Sequence, residues 1–482
     1  MRLVKRGTLL LLGLALPAAG ALARDGAPRI GEVTRDGGVI YEQMCANCHG
    51  TGLGGGKGGS LLGGTLKHGD DDDRLAKSIH DGFPATGMPA FGNSLSTVEI
   101  KAVVVHLRER LANQHPPDKT EPIDPNQIRT SELHSYRIET IVDQGLEVPW
   151  SFVFLPDGRI LLTERAGRLR IIDQHGKLVP TPIDGVPEVV EKGEGGLMSV
   201  ALHPDFAHNH WVYLAFSDPG PGETAMTKII RGRLNDGHLT AIETIFALPQ
   251  EKYPPGYVLF GCRMEFLGDH LFFSLGERGV TGDAQKPDTP NGKIHRLLDD
   301  GRIPPDNPYA HTPGVLGSIW AIGVRNPQGL ALDPLTHALW ETEHGPRGGD
   351  ELNFIEPGKN YGWPVITYGI NYDGTAITDQ TAADGMEQPV RYWVPSIATS
   401  QIAFYTGDKF PKWKNQLFLG SLAQQKFIRI ELDGKRIVHE EEIFKNLGRV
   451  RDIKTGPDGC LYLALEQLGG APGRIVRLVP AE

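Results

Sequence analysis

The chain has 482 residues, of which 39% are hydrophobic and 22% charged, a composition that fits a folded globular protein and argues against a disordered or membrane-embedded one. That length predicts two or more units, or one small unit joined to a large all-β one. Lys and Arg total 49 against 59 Asp and Glu, so the formal charge is −10 and no basic surface is available for a phosphate backbone; nucleic acid is excluded as a partner.

Taken in chain order, Arg2, Lys5 and Arg6 precede an apolar run from Leu9 to Leu16, and Ala21-Leu22-Ala23 supplies small residues for cleavage. Residues 1–23 therefore read as an export signal, with the mature chain starting at Arg24 and a periplasmic or secreted destination. A bilayer needs about 20 apolar residues in a row, so this run is too short for a stable membrane span.

The next feature is Cys45-Ala46-Asn47-Cys48-His49. Two thiols at this spacing add to the vinyl groups of a haem, and the abutting imidazole of His49 takes the proximal position on its iron. Met88 lies in Gly87-Met88-Pro89, held off helix by the following proline, and is the expected sixth ligand from the opposite face. His68 and His80 are outside candidates. Asp70 to Asp73 read as a solvated acidic turn without calcium-loop spacing. Ser96-Thr97-Val98-Glu99 is a capping box, and Ile100, Val103, Val104, Leu107 and Leu111 then recur at helical spacing. A leading helix over 37–44, a haem motif, a methionine loop and a closing helix resemble a small class I cytochrome c, an all-α domain expected over 24–112.

Residues 113–134 turn polar, with Pro116, Pro117, Pro122 and Pro125, and read as an extended spacer. From 135 to 482 a theme repeats. Leu169–Asp173, Ile230–Leu234, Ile294–Leu298, Phe427–Leu432 and Ile475–Leu478 each alternate basic and apolar residues, as one outer strand would if it recurred. Turns such as Pro156-Asp157-Gly158 and Pro457-Asp458-Gly459 punctuate the runs, and 61 Gly with 36 Pro suit many short strands. Units of roughly 50–65 residues predict an all-β, six-bladed β-propeller, whose loops gather at one mouth.

The densest polar loop, Glu343-His344-Gly345-Pro346-Arg347-Gly348-Gly349-Asp350-Glu351, offers oxygen ligands for a hard cation such as calcium. Arg325 and Asn326 stand side by side, and Arg449 and Arg451 share one side of a strand, where they suit an anionic cofactor. Together with Leu162-Thr163-Glu164-Arg165, Gly193-Glu194-Gly195-Gly196, His203-Pro204-Asp205-Phe206 and Asn360-Tyr361-Gly362-Trp363-Pro364, these loops resemble the soluble aldose sugar dehydrogenases that use pyrroloquinoline quinone (PQQ), the glucose/sorbosone dehydrogenase family. The resemblance implies PQQ and calcium at the mouth. Carbonyls of Gly345 and Pro346 would hold the cofactor calcium, Glu351 and Tyr361 a second calcium, and Arg325, Asn326, His344, Arg449 and Arg451 the quinone.

Three positions depart from that pattern. Leu259 stands where the family has its catalytic histidine, in Leu259-Phe260-Gly261-Cys262-Arg263; Glu194 replaces a glutamine and Ala423 a lysine. Lys426 is three residues too late, on the opposite face if the segment is a strand. The expected replacement for the missing base is Glu194 or Glu277, whose carboxyl an apolar neighbour would push toward neutrality, with Arg263 beside them. Cys262 and Cys460 read equally as a disulfide or as buried thiols. The expected activity is an exported quinohaemoprotein dehydrogenase that oxidises a sugar or related alcohol, passes electrons to its haem c and then to a periplasmic acceptor. The alternative is an altered propeller that binds carbohydrate or a partner beside an electron-shuttling cytochrome.

Overall fold

The computed structural model describes residues 35–62, 66–112 and 120–481; the export signal expected over residues 1–23 lies outside them. Among these residues no helix is long and apolar enough to cross a membrane.

The N-terminal part is helical. Gly37–Ile40, Tyr41–Cys45 and Ala46–His49 run on as one segment with a π-turn in the middle, started by the Asp36 carboxylate, which accepts from Val39 N at 2.9 Å. The acidic run has a role that reading it as a turn overlooks: Asp71 caps a helix, Asp72–Asp81, accepting from Arg74 N at 2.8 Å, and Asp72 and Asp73 sit in its first turn, where the helix dipole favours them. The capping box forms, with Ser96 N bonding Glu99 Oε2 at 2.9 Å at the head of Thr97–Ala112. Ile100, Val103, Val104 and Leu107 of this closing helix pack with Ile40, Tyr41 and Leu75, while Ala102 and Val105 face away, toward the propeller.

Six sheets follow. Their first strands, Pro149–Phe154, Leu197–Leu202, Met264–Leu267, Pro327–Leu332, Thr399–Phe404 and Arg449–Thr455, contact one another in sequence and close a ring. Closure is covalently sensible: Ser135–Val142 pairs with the C-terminal strand Arg474–Pro480, so both ends of the domain share the sixth sheet. Residues 120–134, expected to be a free spacer, are laid along that sheet. Glu121 N bonds Asn446 O at 2.6 Å, Ile123 and Leu133 pack on the core, and Arg129–Thr130 pairs with the next strand.

The recurring basic-apolar strand is the third of its sheet, and in five sheets of six another strand lies outside it. The third strand of the fourth sheet, Asp350–Ile355, lacks the alternation altogether and buries Asp350, Glu351 and Asn353 instead.

Candidate functional site

Loops that enter the first strands and loops that leave the second strands lie at the same end of an antiparallel blade, and they build the mouth. Glu194, Leu259–Arg263, Arg325–Asn326 and Arg449 belong to the first group or begin the strand; Glu277, His344, Ala423 and Glu466 belong to the second or end it. Residues from five blades meet here. Asn326 Oδ1 accepts from Gly261 N at 3.1 Å, Glu277 N donates to Arg325 O at 2.8 Å, and Arg263 Nε donates to Gln328 O at 2.8 Å. His344 donates Nε2–H to Thr399 O at 2.7 Å, which leaves Nδ1 as an acceptor; burial, with Arg325, Arg451 and Arg449 nearby, holds its pKa down at about 3. His344 therefore stays neutral.

The cations are only partly satisfied. Arg325 gives one guanidinium nitrogen to the carbonyls of His344 and Gly345, both at 2.9 Å, and leaves its buried Nε without a partner. Arg278 stacks 3.5 Å over Phe260, and its Nε and Nη1 are likewise buried and unpartnered. Such donors cost free energy unless an acceptor meets them. Arg449 and Arg451 share one partner that was not among the expected site residues: Arg451 Nε lies 2.6 Å and Arg449 Nε 3.2 Å from Glu466 Oε2. The signal for Glu466 is positional, since it closes the second strand of its blade at the level where Glu277 and His344 follow theirs.

The two candidate bases differ. Glu194 is exposed and its Oε2 accepts from Leu259 N at 2.8 Å. Glu277 is buried, its Oε2 has no hydrogen-bond partner, and burial pushes its pKa up to about 7 against the pull of Arg325 and Arg278. Arg263 is spent on structure, bonding the Gln328 and Arg451 carbonyls. Leu259 is buried, at a positive φ of 52°. The segment from Ala423 to Lys426 is a turn rather than a strand, and Lys426 Nζ reaches Glu442 at 3.2 Å.

Beneath the mouth lies a cavity of about 10 Å³, lined by Glu343, Glu351, Tyr361 and the Gly345 and Gly349 backbone among others. That is room for one water-sized atom. Burial and mutual repulsion raise Glu341 and Glu351 well above the carboxylate range and Glu343 to about 7, and both Glu341 Oε1 and Asn353 Oδ1 are unpartnered. Tyr361 is placed here too, but its hydroxyl is committed, donating to Phe354 O at 2.6 Å and accepting from Glu356 N at 2.8 Å; only its carbonyl is left for a cation. Among the described residues no three His, Cys, Asp or Glu side chains form a ready-made metal site.

In the helical part His49 donates Nδ1–H to Gly59 O at 2.9 Å, which leaves Nε2 with the free lone pair that a ligating imidazole needs. Cys45 and Cys48 are half-buried free thiols on the same helical segment, and Met88 is pinned by paired backbone bonds to Phe83, with its side chain against the same core. His80 bonds Asp81 and His68 stacks on Phe83. Cys262 and Cys460 are buried free thiols in separate core clusters.

The sequence matches the Glucose / Sorbosone dehydrogenase family over residues 146–477. The chain belongs to this family. Residues 32–107 match the family described as Cytochrome C oxidase, cbb3-type, subunit III, so a cytochrome c domain precedes the propeller. An aldose sugar dehydrogenase of Escherichia coli (strain K12) is 42% identical over 340 residues, 69% of this chain and 91% of that protein. The crystal structure of the soluble aldose sugar dehydrogenase from Escherichia coli in the apo-form is 40% identical with a TM-score of 0.67, and the match covers 72% of this chain and 100% of that one. The PQQ-bound aldose sugar dehydrogenase from Streptomyces coelicolor is 28% identical, with a TM-score of 0.58, and covers 71% and 98%. Relatives named as sugar dehydrogenases support an oxidoreductase, and the six sheets are the propeller expected from the repeats.

Proposed function

We propose that the chain is an exported quinohaemoprotein that oxidises an aldose or related alcohol at the propeller mouth and delivers the electrons to its own haem c. The observation that carries this reading is the set of buried guanidinium N–H groups of Arg325 and Arg278 without protein partners, beside a carboxylate tuned near neutrality. PQQ carries several carboxylates, and these donors fit a polyanion. Bound there, PQQ supplies a two-electron acceptor for the carbinol carbon.

The remaining work falls to this chain's side chains. Arg325, Arg449 and Arg451 hold the anionic rim, Asn326 and neutral His344 orient it, and Ala423 contributes no charge. Glu277 takes the proton from the substrate hydroxyl, replacing the histidine absent at Leu259; a positioned base of this kind is worth about 10²–10⁴ in rate. Glu194, tied to Leu259 N, shapes the substrate side of the mouth and adds charge opposite Arg278. Glu343, Glu351 and the Gly345, Pro346 and Tyr361 carbonyls supply oxygens for calcium, whose charge would relieve the crowded carboxylates. Cys45 and Cys48 attach haem, and His49 and Met88 ligate its iron.

Equilibrium dialysis of the haem-containing protein with PQQ and calcium, followed by aldose oxidation with an artificial acceptor, tests this. Retention of PQQ, weakened in Arg325→Ala, with sugar-dependent turnover is the expected result. No retention would leave the propeller a carbohydrate- or partner-binding module, the reading that Leu259 favours.

A further inference from the structure

The cytochrome helices do not sit beside the propeller at random. Arg347, the residue after Pro346, makes a bidentate pair with Glu109 of the closing helix, at 2.8, 2.9 and 2.6 Å. Its other terminal nitrogen lies 3.6 Å from Asp36 Oδ2, the cap of the helical segment that carries Cys45, Cys48 and His49. Lys101, on the same face of the closing helix, donates to the carbonyls of Thr367 and Thr378, and burial holds its pKa down at about 8.

Apolar packing contributes little to this contact. Among the described residues the apolar cluster there holds Ala102, Val105, Ile370 and Val394, and beside them a cavity of about 490 Å³ separates the helices from Tyr368 and Tyr392. Fit is set instead by polar groups and by backbone. A Cβ on Gly374, whose φ is +87°, would stand 1.5 Å from Asp36 Oδ2. Bidentate arginine–carboxylate pairs fix geometry as well as proximity.

Arg347 thus has one end in the loop whose carbonyls are candidates for the cofactor calcium and the other on both helices that frame the haem. From Asp36 to His49 is about 20 Å along a helix at 1.5 Å per residue. Inside that span Tyr41 is tilted against His106 at 5.5 Å and donates to Gly50 O at 2.7 Å, next to His49.

We propose that Arg347 and Glu109 are positioning residues that lock the cytochrome onto the mouth, fixing the separation over which electrons cross from quinone to haem; this rests on the function proposed above. In each turnover the substrate carbinol gives up two electrons and two protons, one proton from its C–H bond and one from its hydroxyl. The electrons cross singly, each reducing Fe(III) to Fe(II), the protons go to water, and an external one-electron acceptor, ferricyanide in the assay, reoxidises the iron.

The test uses the full chain with haem, comparing wild type, Glu109→Gln, Glu109→Arg and the charge swap Glu109→Arg with Arg347→Glu. Hydrogen exchange is measured before PQQ is added, and sugar-driven haem reduction and dye reduction after it, with the haem spectrum as the check on folding. Glu109→Arg is expected to deprotect residues 367–380 and to slow haem reduction by roughly tenfold or more, because the docked fraction falls. Dye reduction taken directly at the mouth should match wild type, and the swap should recover protection and haem reduction together. Unchanged exchange and unchanged haem reduction in Glu109→Arg would overturn the proposal. If neither haem nor dye is reduced in wild type, the proposed function has failed, and exchange alone decides for or against the lock.

Discussion

Replacing Glu277 by glutamine separates the cost of a tuned base from its use. In the unfolded chain this carboxyl releases its proton near the ordinary 4.5; in the folded protein burial holds the proton until about 7. The folded state therefore binds more protons than the unfolded one between those values, and stability falls as pH rises through that window and is level above it. At about 1.36 kcal/mol per factor of ten, the difference is about 3 kcal/mol. The glutamine variant carries no such slope. Urea unfolding of the PQQ-free protein, followed by tryptophan fluorescence, should show the variant gaining about 3 kcal/mol on wild type between pH 4 and pH 8. The same substitution should lower sugar turnover by about 10²–10⁴, and the wild-type rate should rise with pH through 7. A stability difference that does not change with pH, or full turnover in the variant, would refute the assignment.

Adding Leu259→His to Glu277→Gln should restore part of the lost turnover, since histidine tolerates the positive φ at 259 and brings a base to the family's position; a double variant as slow as the single one would contradict this. Met88→Ala should keep haem covalently attached but lower its reduction potential in a redox titration, whereas an unchanged potential would remove Met88 from the iron. Calcium should raise the melting temperature more at pH 8 than at pH 5, because Glu343 and Glu351 must shed protons raised by burial and by their neighbours; at 100-fold over Kd the gain is about 2.7 kcal/mol, and Glu351→Gln should abolish it.

What the sequence made legible followed from local rules. The cytochrome c domain announces itself by two cysteines and a histidine at fixed spacing, and the capping box needs Ser96 and Glu99 three apart, so both could be read directly. The third-strand alternation is visible in the five blades whose third strand sets basic residues between apolar ones, and Arg170, Arg296 and Arg429 there are buried and paired with acids. It vanished in the fourth blade because Asp350–Ile355 buries acids and an amide, and that gap in the pattern itself marks the carboxylate cluster. Asp70 to Asp73 looked like a turn because the short helix behind them offers only two buried positions, Leu75 and Ile79. Glu466 and the Arg347–Glu109 pair leave no local trace. The first is matched to arginines across a hairpin, and the second joins residues 238 apart in the chain.

If one chain carries electrons from sugar to its own haem, stopped-flow mixing of the calcium- and PQQ-loaded protein with an aldose, followed at the haem absorption, should show it. Haem reduction should require both PQQ and sugar, at a rate unchanged when the protein is diluted. Haem that stays oxidised while PQQ is bound, or a rate that falls in proportion to protein concentration, would contradict it.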